Sequence, residues 1–289
     1  MMLKTLKKST VALLDLYCLL VYYNYKLAYL VDCCSLQSQD AITYLTLFAK
    51  KYGVSSDTMI IVELGDDVFI VNKSSWENRI KNLQNILENP ERIMEEIVIV
   101  DISEQQCTMN NLQQNKDILH TLLLCLTQSD ITDGVYTLHQ VPGALSAPLI
   151  AGWLLGYPCI YQSHGSTTEH SNDSSLSMVE LYKVSILANI TIHQPQSPQK
   201  STSSKDATAM TVNKFTALEV VGFTVPHSIY TVHTDIAAFI GKKVEEIVNN
   251  MNSIQEHTWT TKKKKNSIAI NIEDVHAVHS THTVPAIVL

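Results

Sequence analysis

Between Asp133 and Glu169 the chain carries no Asp, Glu, Lys or Arg, and the centre of that stretch reads AGWLLGYPCIYQSHG (Ala151–Gly165). A run this apolar has to be buried, in a bilayer or in a core. Hydropathy alone allows a span across Val141–Tyr161, near the about 20 residues that crossing requires. The breakers argue otherwise. Pro142, Pro148 and Pro158 interrupt the run, and Gly156 followed two residues later by Pro158 is a helix stop. The predicted helix is Ala144–Leu155, roughly 18 Å at 1.5 Å per residue and too short to cross. YPCIY follows as a strand, and no basic flank marks a cytoplasmic side. The stretch therefore predicts a buried helix–strand unit and no membrane span.

The N-terminus poses the same question. Lys4, Lys7 and Lys8 precede VALLDLYCLLVYY, which imitates a signal peptide. Asp15 lies inside the apolar run and no small-residue cleavage site follows, so a buried first helix is expected. The pattern then alternates. LAYLVDCC (Leu27–Cys34) reads as a strand, Leu36–Tyr52 as a helix stopped by Gly53, and MIIVELGDDVFIV (Met59–Val71) as a hairpin turning at Gly65-Asp66-Asp67. A helix capped by Ser74 or Ser75 is closed by Pro90, EEIVIVDIS (Glu95–Ser103) is a buried strand, and Thr108–Thr127 is helical. Further strands are expected at Gly134–Val141 and Val179–His193, a helix at Thr234–Met251, and late strands near Ser267–Ile272 and Thr283–Val288. Strands separated by helices argue for an α/β fold, a mainly parallel sheet flanked by helices with a β-hairpin and late C-terminal strands. QPQSPQKSTSSKDATA (Gln194–Ala209) has the composition of a mobile insertion within a single domain, 1–289.

Composition excludes some functions. A formal net charge of -7 disfavours nucleic-acid binding. With 9 Gly and neither GxGxxG nor GxxxxGK[ST], no glycine-built nucleotide cradle is expected, and the sequence leaves the cofactor unknown. The 6 cysteines form no CxxC and sit mostly among apolar neighbours, which suits a reducing compartment. Glycosylation-type triplets at Asn72, Asn172 and Asn189 are near chance in a Ser- and Thr-rich chain.

Four constellations bear on chemistry. Asp32 and Asp101 each end a predicted strand, with Glu63, Asp66 and Asp67 at the hairpin. Right-handed crossovers would bring the carboxyl ends of such strands to one edge of one sheet, where two carboxylates could hold Mg²⁺ or act as acid and base. The plainer role for an Asp after a strand is a helix cap, and VDCCS lacks the second Asp of a haloacid-dehalogenase-type motif. Cys159, five residues before His164, and Cys33–Cys34 beside Asp32 are thiol candidates, although burial suits a core role better. His276, His279 and His282 in HAVHSTH cannot meet at one metal on a helix or on a strand. Lys262–Lys265 matches a minimal import run or a solvated turn.

GWLLGYPCIY (Gly152–Tyr161), SLSMVELYKV (Ser175–Val184) and FTVP (Phe223–Pro226) together resemble an uncharacterised animal family whose vertebrate member is called the chromosome 1 open reading frame 74 protein. The resemblance extends over most of the chain and implies no activity and no catalytic residues; the Pro/Ser/Gln insertion and the tetralysine depart from it. The expectation is a soluble intracellular protein, cytoplasmic or also nuclear, that acts by binding protein partners as an adaptor or regulator. The rival is a small-molecule hydrolase or phosphotransferase-like enzyme using Asp32 and Asp101.

Overall fold

The hairpin predicted at Met59–Val71 is the centre of the N-terminal half in the computed structural model, which describes residues 7–102, 107–132, 134–138, 145–163, 179–193, 210–212, 218–254 and 267–282. The strands are β1 (Ala28–Leu30), β2 (Met59–Leu64), β3 (Asp67–Asn72), β4 (Val98–Asp101), β5 (Thr108–Met109), β6 (Asp130–Thr132), β7 (Val135–Leu138), β8 (Cys159–Gln162), β9 (Val179–His193), β10 (Met210–Val212), β11 (Leu218–Pro226) and β12 (Ser267–His282). The helices are α1 (Lys8–Tyr22), α2 (Ser38–Tyr52), α3 (Lys73–Glu88), α4 (Ile93–Glu96), α5 (Leu112–Thr127), α6 (Ala147–Leu155), α7 (His227–Val232) and α8 (Thr234–Ile254). The insertion at 194–209, the lysines 262–265 and the late strand at 283–288 lie outside the described residues.

The fold is α/β, but its sheets are mixed and not mainly parallel. One sheet has the order β1-β3-β2-β7-β6, a second β5-β4-β8, and in a third β9 is flanked by β10 and β11 and also pairs β12. Only β2–β7 and β4–β8 pair in parallel among the described residues. The correction has a local cause. A two-residue loop with Gly65 at φ +61 returns β3 antiparallel beside β2, and β3 then takes the place between β2 and β1. β1, β2 and β7 still point the same way, so their carboxyl ends share one edge.

Alternation along β2 and β3 divides the core. Ile61 and Ile70 face Leu14 and Cys18 of α1 and Ala41, Leu45 and Phe48 of α2. Val62, Leu64 and Phe69 face Trp76 and Leu83 of α3, Leu119 and Leu122 of α5, and Leu149 and Trp153 of α6. Two helix starts differ from expectation. α3 is capped by Asn72, whose side chain accepts from Ser75 N at 3.2 Å and donates to Val21 O and Tyr22 O at 3.2 Å each. Asn72 is therefore a buried tie between α1 and α3, with no room for a glycan. α5 begins only at Leu112, because Asn111 and Gln114 form a capping box while Thr108 and Met109 pair with β4.

The two apolar runs are accommodated in the core. α6 stops at Gly156, which takes φ +80, and its nine residues reach only about 13 Å. Asp15 of α1 is buried and accepts from Tyr44 Oη at 2.5 Å, Tyr52 Oη at 2.8 Å and Lys51 Nζ. Hydrocarbon would offer it none of these partners. No helix among the described residues is long and apolar enough to cross a membrane.

Candidate functional site

At the shared carboxyl edge of β1, β2 and β7 the surface opens into a groove of about 770 Å³. Asp32 reaches it from the end of β1, Glu63 from β2, Asp66 and Asp67 from the hairpin turn, Ser38 from the start of α2 and Thr137 from β7. Glu63 ends the row Met59, Ile61, Glu63 on the α2-facing side of β2. Its carboxylate accepts from Ser38 Oγ at 2.5 Å and from Thr137 Oγ1 at 3.4 Å, which ties α2 and β7 to β2. Asp32 is exposed and accepts from Tyr29 Oη at 3.3 Å. Among the described residues the groove lining contains no Lys, Arg or His.

Asp101 is not part of this groove. It ends β4 in the three-stranded sheet, whereas Asp32 follows β1 in the five-stranded one, so the expected single sheet edge for the pair is corrected. The hairpin strand β3 occupies the neighbouring place beside β1, and the carboxylate that joins Asp32 on the edge is Glu63. No cluster of three or more His, Cys, Asp or Glu side chains among the described residues has a geometry suited to a metal ion.

Of the candidate thiols, Cys34 and Cys159 are held in their protonated form. Burial pushes Cys34 up to about 11, with Cys33 and Asp32 adding to the shift, and burial raises Cys159 to about 12. A nucleophilic cysteine needs the opposite displacement. All six cysteines are free, and His164 lies outside the described residues.

A second polar cluster was not foreseen. Glu180 of β9 is buried and receives His227 Nδ1 at 2.5 Å, His279 Nε2 at 2.7 Å and Thr281 Oγ1 at 3.0 Å. Burial pushes its carboxyl up, but hydrogen bonds from the two histidines and Thr281 outweigh that and leave it below its ordinary value. The register explains the assembly: Thr281 lies opposite Glu180, and His279 opposite Tyr182. Tyr182 is stacked between His279 at 4.4 Å and Phe223 at 5.3 Å. The signal was present in VELYKVSI, where Glu180 shares the core-facing parity of Tyr182, Val184 and Ile186. HAVHSTH, which the sequence leaves open between helix and strand, is part of β12, and its three histidines serve separate partners: His276 pairs with Asp274 at 3.0 Å, His279 with Glu180, and His282 with Ser280 at 2.8 Å.

Residues 2–276 match the family described as Domain of unknown function (DUF4504). The chain belongs to this family. No curated protein matches it, and no solved structure does. The family match takes in the groove, Asp101, Glu180 and His227, and ends at His276, before His279 and Thr281. Membership brings no assigned activity, so every functional role rests on the geometry.

Proposed function

We propose that this protein acts by binding, as an adaptor or regulatory module, and that the groove at the carboxyl edge receives a cationic partner such as a basic peptide segment. One observation carries this: Asp32, Glu63, Asp66 and Asp67 line the groove with no basic side chain beside them among the described residues. Such a field raises the local concentration of cations and steers their approach. Both oxygens of Glu63 already accept hydroxyl donors, which suits a fixed recognition surface better than a base that must take up a proton. The raised thiols add no nucleophile.

A soluble intracellular protein, cytoplasmic or also nuclear, is consistent with six free cysteines and with the lack of a membrane-length apolar helix among the described residues. The resemblance of GWLLGYPCIY, SLSMVELYKV and FTVP supports placing the chain with the animal family named above. A hydrolase or phosphotransferase-like enzyme using strand-end carboxylates is the second reading, favoured by the position of Asp32 beside Glu63 on the carboxyl edge. In that reading Asp101 would act from a separate sheet.

Titration with hexalysine, spermine and Mg²⁺, followed by calorimetry and thermal shift, separates these. Binding of hexalysine that weakens with salt and falls in an Asp66→Asn/Asp67→Asn double variant is the expected result. Stabilisation by Mg²⁺ alone, abolished by Asp32→Asn, would favour the enzyme. No response to any of the three cations would sink the groove as a cation site.

A further inference from the structure

A second cavity, of about 230 Å³, opens between α3, α6 and α8 and shares no lining residue with the groove. Its distinctive group is Arg79 of α3. The guanidinium stacks on the Trp153 ring at 4.3 Å from the centroid, and Nη1 donates to Leu154 O at 3.1 Å. Trp153 is itself held edge-on by Trp76 at 6.1 Å. Burial brings the guanidinium down to about 10, so it remains charged near neutral pH. No carboxylate among the described residues pairs with it. The two acids on the cavity wall are taken: Lys243 bridges Glu96 and Glu246 at 3.2 Å each, and Arg92 also reaches Glu96.

A partly buried cation without a counterion costs stability, and one carbonyl satisfies only one of the five N–H donors of the fork. The surroundings keep space in front of it. Gly156 takes φ +80, and a Cβ there would stand inside contact distance of Leu27 Cδ1 and 3.7 Å from Arg79 Nη1. Leu83, Ile97, Trp153 and Tyr157 supply apolar walls, and Asn82 and Asn250 supply amides. Arg79 is thus the charge left without a counterion in a pocket of mixed polarity, since Lys243 and Arg92 together balance Glu96 and Glu246.

We propose that this cavity binds a small organic monoanion, its carboxylate received by the Arg79 fork and its apolar body lying against Trp153, Tyr157 and Leu83. The planar fork matches a carboxylate in a bidentate arrangement. A single uncompensated positive charge favours a monoanion over a phosphate dianion, because Glu96 and Glu246 stand on the same wall.

The test uses the full-length chain with benzoate, phenyl phosphate and the neutral benzyl alcohol at millimolar concentration, read by thermal shift and by ligand-observed NMR. Benzoate should bind at least about tenfold more tightly than benzyl alcohol, as a charge-assisted pair requires. Arg79→Lys should weaken benzoate by a similar factor, and Arg79→Met should abolish the preference for the acid while leaving the melting temperature of the free protein unchanged or raised. Should Arg79→Met not fold, Ile247→Trp, which fills the cavity from α8, should block benzoate with Arg79 intact. Failure of benzoate to bind the wild type, or equal binding by Arg79→Met, would overturn the site. Tighter binding of phenyl phosphate than of benzoate would overturn the monoanion assignment.

Discussion

Glu63 and Glu180 occupy equivalent places in two different sheets, and their surroundings set them to different work. Each stands at one end of an apolar row on the covered face of a strand: Met59 and Ile61 lead to Glu63, and Ile186, Val184 and Tyr182 lead back to Glu180. Around Glu63 the partners are two hydroxyls, and the carboxylate still borders open groove. Around Glu180 the partners are two imidazoles and a hydroxyl, and its side chain is only 3% exposed. A carboxylate at a strand end is therefore not a functional signal in itself. What closes over it decides whether it holds the fold together or faces a ligand.

The largest expected effect is at Glu180. Glu180→Ala leaves His227, His279 and Thr281 without their shared acceptor. Hydrogen bonds to charged groups place the loss at about 2–3 kcal/mol, which corresponds to roughly 4–12 °C in melting temperature for a chain of this size. Both histidines are more than a third exposed and can recover water, so the value should not exceed that range. Thermal unfolding of Glu180→Ala beside Glu63→Ala checks the contrast directly. Equal losses would break it.

Acid should sharpen the same contrast. The folded Glu180 carboxyl lies below its ordinary value of 4.5. A depressed carboxyl contributes stability that is present above the unfolded value and lost as pH falls through the folded one. The advantage of wild type over Glu180→Gln should therefore be full above pH 4.5, the ordinary value, and fade below it. Denaturant unfolding of both proteins from pH 6 down to pH 3 reads this out. An advantage that grows on acidification would show that the imidazoles do not hold the ionised form.

Local chemistry was legible in the sequence, and pairing across the chain was not. The stops at Gly53 and Gly156, both in the left-handed region, and the hairpin turn at Gly65 are written in a few adjacent residues. Asp15 was readable as a core residue because a charge inside an apolar helix demands partners. The place of β3 between β1 and β2 depends on which distant strand closes beside which, and no local signal in DVFIVN encodes it. That is why the sequence places Asp32 at a strand end but wrongly sets Asp101 on the same sheet edge. β12 shows another limit. A shift in register between Ile272 and Asp274, at IEDV, obscures the alternation, so one strand of 16 residues read as a short strand followed by loose histidines. Glu180 was hidden for a related reason, since its partners come from Thr281 and His279 about a hundred positions later.

The smallest effect on stability is expected at Glu63, and it is the most informative about function. In Glu63→Gln the amide carbonyl can still accept from Ser38 Oγ, and the amide nitrogen can donate to Thr137 Oγ1, so the tie between α2, β2 and β7 persists. The change should cost no more than about 0.5 kcal/mol. What it removes is one of four negative charges facing the groove. One charge at a solvated surface is worth about 1 kcal/mol or less against a bound cation, so hexalysine affinity should fall by up to about fivefold. Glu180→Gln, whose carboxylate is enclosed by its own partners, should leave that affinity unchanged. Calorimetric titration of both variants at low salt makes the measurement. A loss of hexalysine binding in Glu180→Gln at intact fold would place the cation at the antiparallel sheet and reverse the assignment of the two carboxylates. A Glu63→Gln protein that binds as the wild type does would remove Glu63 from the recognition surface and leave only Asp32, Asp66 and Asp67 to account for it.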